Sequence, residues 1–576
     1  MPSVDRRQFL AGAGALAASP VVGRPVRARR QPTPPFEWGV ASFDPTDRGV
    51  LLWTRAAPEA GISSLRWEVA SDPDLTDVVA SGDAAVGPES DHCALVDAGS
   101  LEPGGLWWYA FTAPDGTRSP IGRTRTVRRG AVERLRLGVV SCSRFASGGF
   151  AAYRALAERE VDLLVHLGDY IYEDGGAGVR QHEPAAELRT LDQYRARYAQ
   201  HRLDPDLQAL HARHPMVAVW DDHEIAGNAW RDGAPGHDAD AEGSWRDRLA
   251  AATRAHGEWL PGRTARGEDG RSRIWRSVPL GDLAELVLLD TRAWGRDRQP
   301  ATAAEIGGPS PTDPSRPRTL LGADQEAFVT ERLTRVGRPP WVLLANQVML
   351  HPLEVPVPNE ALAGDVEAAG FLVRDSRAVN PDQWDGYPQA RDALVTAVGG
   401  RGGAVVLTGD VHSSWAWEGP ARDGEDPAMV ELVAPSVSSE PLADRLPVPA
   451  AGVEAALTGL SDELSYVELA SHGYLLVDLD ADAVQGEWWF VDPSDPASER
   501  FGAARRAPVA PPMHLTPTTE PRPDPVPPSS APSTSAPAIE GARAPDDGFP
   551  LGAIGGAGAA LAAALAAAVA VRRRTR

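Results

Sequence analysis

Apolar and polar positions change their pattern along this chain, and each pattern predicts a different kind of layer. Between residues 36 and 127 the apolar runs are short. Residues 49–55, 65–69 and 106–111 alternate or run apolar, and turn clusters such as Ser71-Asp72-Pro73-Asp74 and Ala113-Pro114-Asp115-Gly116 separate them. This predicts a small β-sandwich of about 90 residues, with its aromatic side chains as core. From about 135 to 505 strands alternate with helices. Residues 135–140, 161–167, 216–220, 283–289, 341–345 and 404–407 read as buried strands, and 150–159 as a helix. The end of this region turns β-rich, at 429–433, 474–479 and 487–491. The expectation is an α/β unit of two sheets flanked by helices, rather than one parallel sheet.

Both ends break the pattern. Asp5-Arg6-Arg7-Gln8-Phe9-Leu10 precedes an Ala/Gly/Leu run at 11–18, a twin-arginine export signal, with a cleavage site expected at Val26-Arg27-Ala28. Residues 508–550 are rich in Pro, Ser, Thr and Ala, cannot bury much apolar surface, and predict an extended spacer. Residues 551–571 carry no charge and precede Arg572-Arg573-Arg574-Thr575-Arg576. That length can span a bilayer, and the basic tail predicts a cytoplasmic end with the rest of the chain outside. The predicted organisation is a signal at 1–28, a sandwich at 34–128, a catalytic unit at 133–505, a linker at 506–550, a transmembrane helix at 551–571 and a basic tail at 572–576.

A net charge of −22 argues against a nucleic-acid partner, which needs a basic face, and suits hard cations. Two cysteines, Cys93 and Cys142, fall in different predicted layers and are expected to remain unpaired.

The chemistry sits where buried strands should end, the place where α/β sheets carry their ligand sites. Cys142 ends the first strand. His166-Leu167-Gly168-Asp169-Tyr170-Ile171-Tyr172-Glu173 follows the second, Asp221-Asp222-His223-Glu224 the third, and Gly409-Asp410-Val411-His412 a later one. A strand-end carboxylate such as Asp169 can bridge two cations. A Cys142 thiolate and a Tyr172 phenolate favour ferric iron over magnesium or zinc. Asp410 and His412, two residues apart in extended chain, point the same way. His223 can protonate a leaving oxygen or stabilise developing charge. Asn346 and Gln347 end another strand and offer neutral oxygens. His166 lies within its strand and reads as a core histidine.

The order Cys, Gly-Asp-x-x-Tyr, Asp-His-Glu and Gly-Asp-x-His resembles the PhoD-like alkaline phosphatases of the calcineurin-like metallophosphoesterase superfamily. Leu289-Asp290-Thr291-Arg292, Asn346-Gln347 and His472-Gly473-Tyr474 extend the likeness, which spans about 36 to 491. The resemblance implies a metallophosphoesterase sandwich flanked by helices, preceded by a fibronectin III/immunoglobulin-like domain. It also implies Fe3+ and Ca2+ as cofactors. Cys142, Asp169 and Tyr172 would hold iron, with Asp169 bridging. Asp222, Asp410 and His412 would complete the calcium side. His223 and Arg292 would be catalytic, and Asn228 and Asn346 further metal or phosphate contacts. The implied activity is release of phosphate from phosphate esters by an exported enzyme that passes the twin-arginine machinery and is anchored by its C-terminal helix. Two other readings stand beside it: a phosphodiesterase or phospholipase D-like enzyme acting on lipid or cell-wall phosphodiesters, and a non-catalytic surface-binding protein. Loops 295–318 and 354–383 are expected to decide monoester against diester preference.

Overall fold

Two sheets face each other across one apolar core, and every strand that reaches the site is buried on both faces. The computed structural model describes residues 34–525, apart from residue 177 and stretches within 268–270, 358–369, 420–424 and 447. The expected export signal, the apolar run at 551–571 and the basic tail lie outside the described residues. Among the described residues no helix is long and apolar enough to cross a membrane.

In the first sheet, Arg134–Val140, Leu163–His166 and Met216–Ala218 run parallel, in register through Val140↔His166 and Ala218↔His166. Antiparallel strands Gly473–Asp480, Ala483–Asp492 and Asp495–Pro508 extend it on one side. In the second sheet Ala284–Leu288, Trp341–Asn346, Ala404–Thr408 and Met429–Val433 are parallel. Parallel strands covered on both faces need continuous apolar runs, which is why Trp341–Asn346 reads WVLLAN rather than alternating. Leu343 and Ala345 enter the core between the sheets. Val342 and Leu344 pack outward with Val329, Leu333, Leu394 and Val398 from helices Ala323–Thr334 and Pro388–Val398. Helix Ala151–Glu158 covers the first sheet, burying Ala152, Ala155 and Leu156.

The N-terminal sandwich keeps a core of its own, including Val40, Leu52, Leu65, Val69, Tyr109 and Phe111. One of its sheets nevertheless continues the first catalytic sheet, because Val40–Phe43 pairs parallel with Met216–Ala218 at Phe43↔Met216. Alternation along these strands then feeds two cores. Val40 and Leu52 face the sandwich, while Ala41, Phe43, Leu51 and Trp53 face the catalytic core.

Residues 508–518, expected to begin the spacer, are packed against the catalytic unit. Thr516–Thr518 adds an edge strand to Asp495–Pro508. Met513 and Leu515 are buried, and the Met513 amide donates to the Pro427 carbonyl at 2.7 Å. Two apolar side chains suffice to dock a proline-rich segment whose composition alone reads as unfolded.

Candidate active site

The carboxyl ends of the two parallel sets converge, and the isolated parallel bridge Ser141↔Ser436 ties the sheets together there. The turns that follow are strained. Cys142, Asp169, Asp410 and His412 all have positive φ, 60°, 55°, 63° and 51°, as does Asn228 at 53°. Side-chain-bearing residues held in this region cost about 1–3 kcal/mol each, a cost that clusters at functional sites. Gly168 is required beside them: a Cβ there would stand 2.4 Å from the Asp221 backbone nitrogen, at φ +105°. Glu224 braces two of the turns by accepting from the backbone N–H groups of Asp169 (2.9 Å), Tyr170 (2.5 Å) and Asp221 (2.7 Å).

One corner of the site is soft. Ligand atoms of Cys142, Asp169 and His412 lie within 4.8 Å of one another. The Tyr172 hydroxyl is 3.0 Å from Asp169 Oδ2 and 3.2 Å from His412 Nε2. His412 Nδ1 lies 3.0 Å from the Glu440 carbonyl, a contact that fixes the tautomer and leaves Nε2 facing this corner. Burial pushes the Cys142 thiol and the Tyr172 phenol well above their ordinary pKa, and pushes His412 well below its own. A neutral imidazole is a ready ligand, and the thiol and phenol need a cation before they ionise.

The other corner is hard. Asp221, Asp222 and Asp410 form one cluster, and Asp169, Asp222 and His223 form another that shares Asp169 with the soft corner. Arg292 is fully buried among carboxylates. It bonds Asp221, takes Asp382 at 2.8 and 3.0 Å, and lies 3.2 Å from both Asp222 and Asp410. Asp382 also binds Arg296, and both arginines outweigh its burial to hold it at about 2. Burial raises Asp169 to about 7 and Asp410 to about 6, with neighbouring carboxylates adding to the rise. Asp221 Oδ2 is buried without a hydrogen-bond partner, and Asp222 Oδ1 has only the Arg292 guanidinium beside it. An unpartnered carboxylate oxygen and carboxyls forced toward neutrality leave this acid cluster able to take a cation. The donors suit two kinds of ion: thiolate, phenolate and imidazole for iron, carboxylates for calcium.

His223 stacks on Tyr172 at 4.2 Å, and its Nδ1 lies 2.7 Å from Glu173. Burial disfavours its charge, but Glu173, Asp222 and Asp169 together hold the imidazole well above its ordinary pKa. Glu173 also accepts from the Gly227 amide at 2.6 Å, so the carboxylate is fixed from two sides.

Most of the residues expected from sequence meet here, with two changes of place. His412 stands with Cys142 and Tyr172, not with Asp222 and Asp410. Asn346 is turned away: its amide donates to Val348 and Thr408 and accepts from the Trp384 indole at 3.2 Å. Asn228 lends its backbone N–H to Asp222 at 2.5 Å. His166 is a core histidine, fully buried, 2.8 Å from the Tyr153 hydroxyl and depressed to about 3 by burial. Both cysteines are free and buried. Sequence reasoning assigned no role to Asp382, Gln383, Ser439 or Glu440. Gln383 donates to Asp410 at 2.6 Å and Ser439 to the Tyr172 hydroxyl at 2.7 Å. The first pair lies at the end of the 354–383 loop singled out above; nothing local marks the second.

Two facing sheets with a cluster of residues able to hold metal ions at their carboxyl ends define a metallophosphoesterase-like fold. The family model described as "PhoD-like phosphatase" matches residues 137–488, and the one described as "PhoD-like phosphatase, N-terminal domain" matches 21–128. Alkaline phosphatase D of Bacillus subtilis (strain 168) is 35% identical over 443 residues, covering 72% of each chain. A solved structure of PhoD superposes with TM-score 0.72 at 29% identity, over 85% of this chain and 93% of the other. The purple acid phosphatase PPD1 from yellow lupin seeds shares the fold, with TM-score 0.52 and 11% identity over 83% of this chain and 74% of the other. The chain belongs to the PhoD-like phosphatase family, and it is a phosphoric ester hydrolase.

Proposed function

We propose that this chain is an exported, membrane-anchored alkaline phosphatase that works with Fe3+ and Ca2+. The observation that carries this reading is the shared Asp169, which belongs at once to the cluster of Cys142 and His412 and to that of Asp222 and His223. Cys142, Tyr172, His412 and Asp169 would hold iron; Asp169, Asp222 and Asp410, with Asp221 beside them, would hold calcium. When bound, the cations neutralise charge on the phosphoryl oxygens and make water acidic enough to act as nucleophile near neutral pH.

The chain's own residues do the rest. His223, held charged by Glu173, carries a proton on the site side of its ring and delivers it to the leaving oxygen or stabilises charge on the transferred group. Arg292 is committed to Asp221, Asp222, Asp382 and Asp410, so its part is to set those carboxylates in place. Glu224 fixes the two turns that carry Asp169 and Asp221. In this reading the twin-arginine signal exports a folded, iron-loaded enzyme, and residues 551–571 hold it outside the membrane.

The test is turnover of a phosphate monoester and a matched diester by the full chain loaded with iron and calcium. Monoester hydrolysis that a chelator abolishes supports the reading. Diester preference redirects it to lipid or cell-wall phosphodiesters, and chelator-resistant turnover refutes the metal assignment.

A further inference from the structure

Among the described residues the fully buried arginines are compensated, with one exception. Arg136 meets Asp478, Arg292 its four carboxylates and Arg296 Asp382. Arg197 is ringed by backbone carbonyls, those of Glu183, Pro184, Tyr172 and Asp174. Arg202, the last residue of helix Leu191–Arg202, differs. It is fully buried, and no carboxylate among the described residues lies within ion-pair distance of it. One terminal nitrogen reaches the Trp38 carbonyl at 3.4 Å, and the guanidinium lies 4.1 Å above the Trp53 ring. Nε and Nη1 have no hydrogen-bond partner.

Its polar neighbours do not supply the missing charge. The Tyr170 hydroxyl stands within hydrogen-bonding reach of the guanidinium and 3.0 Å from His211 Nε2, but as a neutral phenol it brings no negative charge. Tyr170 and Cys93 keep their protons, since burial pushes both pKa values up. The rings around Tyr170 leave further polar atoms unpartnered: Tyr198 Oη, His201 Nε2 and His211 Nδ1, on rings whose centroids lie 6.0, 6.4 and 5.9 Å from that of Tyr170. A guanidinium cannot shed its proton to escape burial, and a buried charge needs a counter-charge.

We propose that Arg202 binds one internal monovalent anion of halide size, such as chloride, at the seam where the sandwich strand Val50–Arg55 meets the catalytic core. Donor-only N–H groups select an anion over a cation. One guanidinium balances one negative charge, so a monovalent ion fits where a doubly charged sulfate or phosphate would leave buried charge uncompensated. The anion is a structural ligand, distinct from the substrate, and it joins Arg202 to the layer that carries Trp53.

The test uses the full chain in two measurements. Crystals transferred from chloride to bromide should show an anomalous peak beside the Arg202 guanidinium. The thermal midpoint should rise and saturate with chloride but not with gluconate at equal ionic strength, and in Arg202→Met the chloride needed for half of that rise should increase at least about tenfold. Should Arg202→Met fail to fold, the wild-type crystals and salt series decide alone. Ordered water at Arg202, bromide only at surface positions, or equal midpoints in the two salts would overturn the proposal.

Discussion

The soft and hard corners of the site meet the cost of buried charge in opposite ways. Around Cys142, Tyr172 and His412 the structure keeps every group neutral: burial makes the thiol and phenol retain their protons and keeps the imidazole from gaining one. Around Asp221, Asp222 and Asp410 it supplies a permanent counter-cation, Arg292, itself steadied by Asp382. The first corner carries no charge of its own; the second is already partly neutralised. Thiolate and phenolate would form there only if a strongly Lewis-acidic ion displaced their protons, which is why ferric iron is the occupant proposed for this corner. A preformed carboxylate set grips a hard cation with less demand on its acidity.

The substitution that should damage both corners at once is Asp169→Asn. Turnover should fall roughly 10^3-fold, the scale for removing a central electrostatic element, with both metals lost. Near-wild-type rates would break the idea of a shared carboxylate. Tyr172→Phe should act on the soft corner alone. It removes any visible phenolate-to-iron absorption and lowers turnover by about 100-fold, while calcium content stays unchanged. Asp382→Asn probes the hard corner from outside, since it leaves Arg292 and Arg296 short of an acceptor. We expect calcium affinity to weaken about 10-fold, with the visible band intact.

The smallest effect is on stability. In the metal-free protein Asp410, Asp169 and Glu224 have folded-state values of about 6, 7 and 8, above those of the unfolded chain. Groups raised on folding hold extra protons in the native state, so their contribution is full below the unfolded values of 3.8 and 4.5 and is lost as pH rises from there through about 8. The metal-free melting temperature should therefore fall across that window, and metal addition should raise it more at pH 8 than at pH 5. A metal-free midpoint that rose between pH 6 and 8 would contradict the assigned protonation.

Much of this contrast is legible in sequence because each ligand follows an apolar run. The runs ending at Val140, Leu167 and Leu407 place Cys142, Asp169 and Asp410 at strand ends, and strand ends of parallel sheets converge. What is not legible comes from distant chain. Asp382 reaches Arg292 across 90 residues of sequence, and Ser439 reaches Tyr172 across 267. No local periodicity marks either contact. The same limit hides the junction of sandwich and catalytic sheet, which rests on the single register pair Phe43↔Met216. Asn346 misleads for the converse reason. It sits at a strand end as Cys142, Asp169 and Asp410 do, but the Trp384 indole and Thr408 claim its amide.

The most direct measurement strips the full chain of metal and restores it with ferric iron alone, calcium alone, or both, following phosphate-ester hydrolysis and bound metal together. Two chemically different corners joined by Asp169 predict that one iron and calcium bind side by side and that substantial turnover returns only with both. Full turnover with either ion alone, or with neither, would contradict the account.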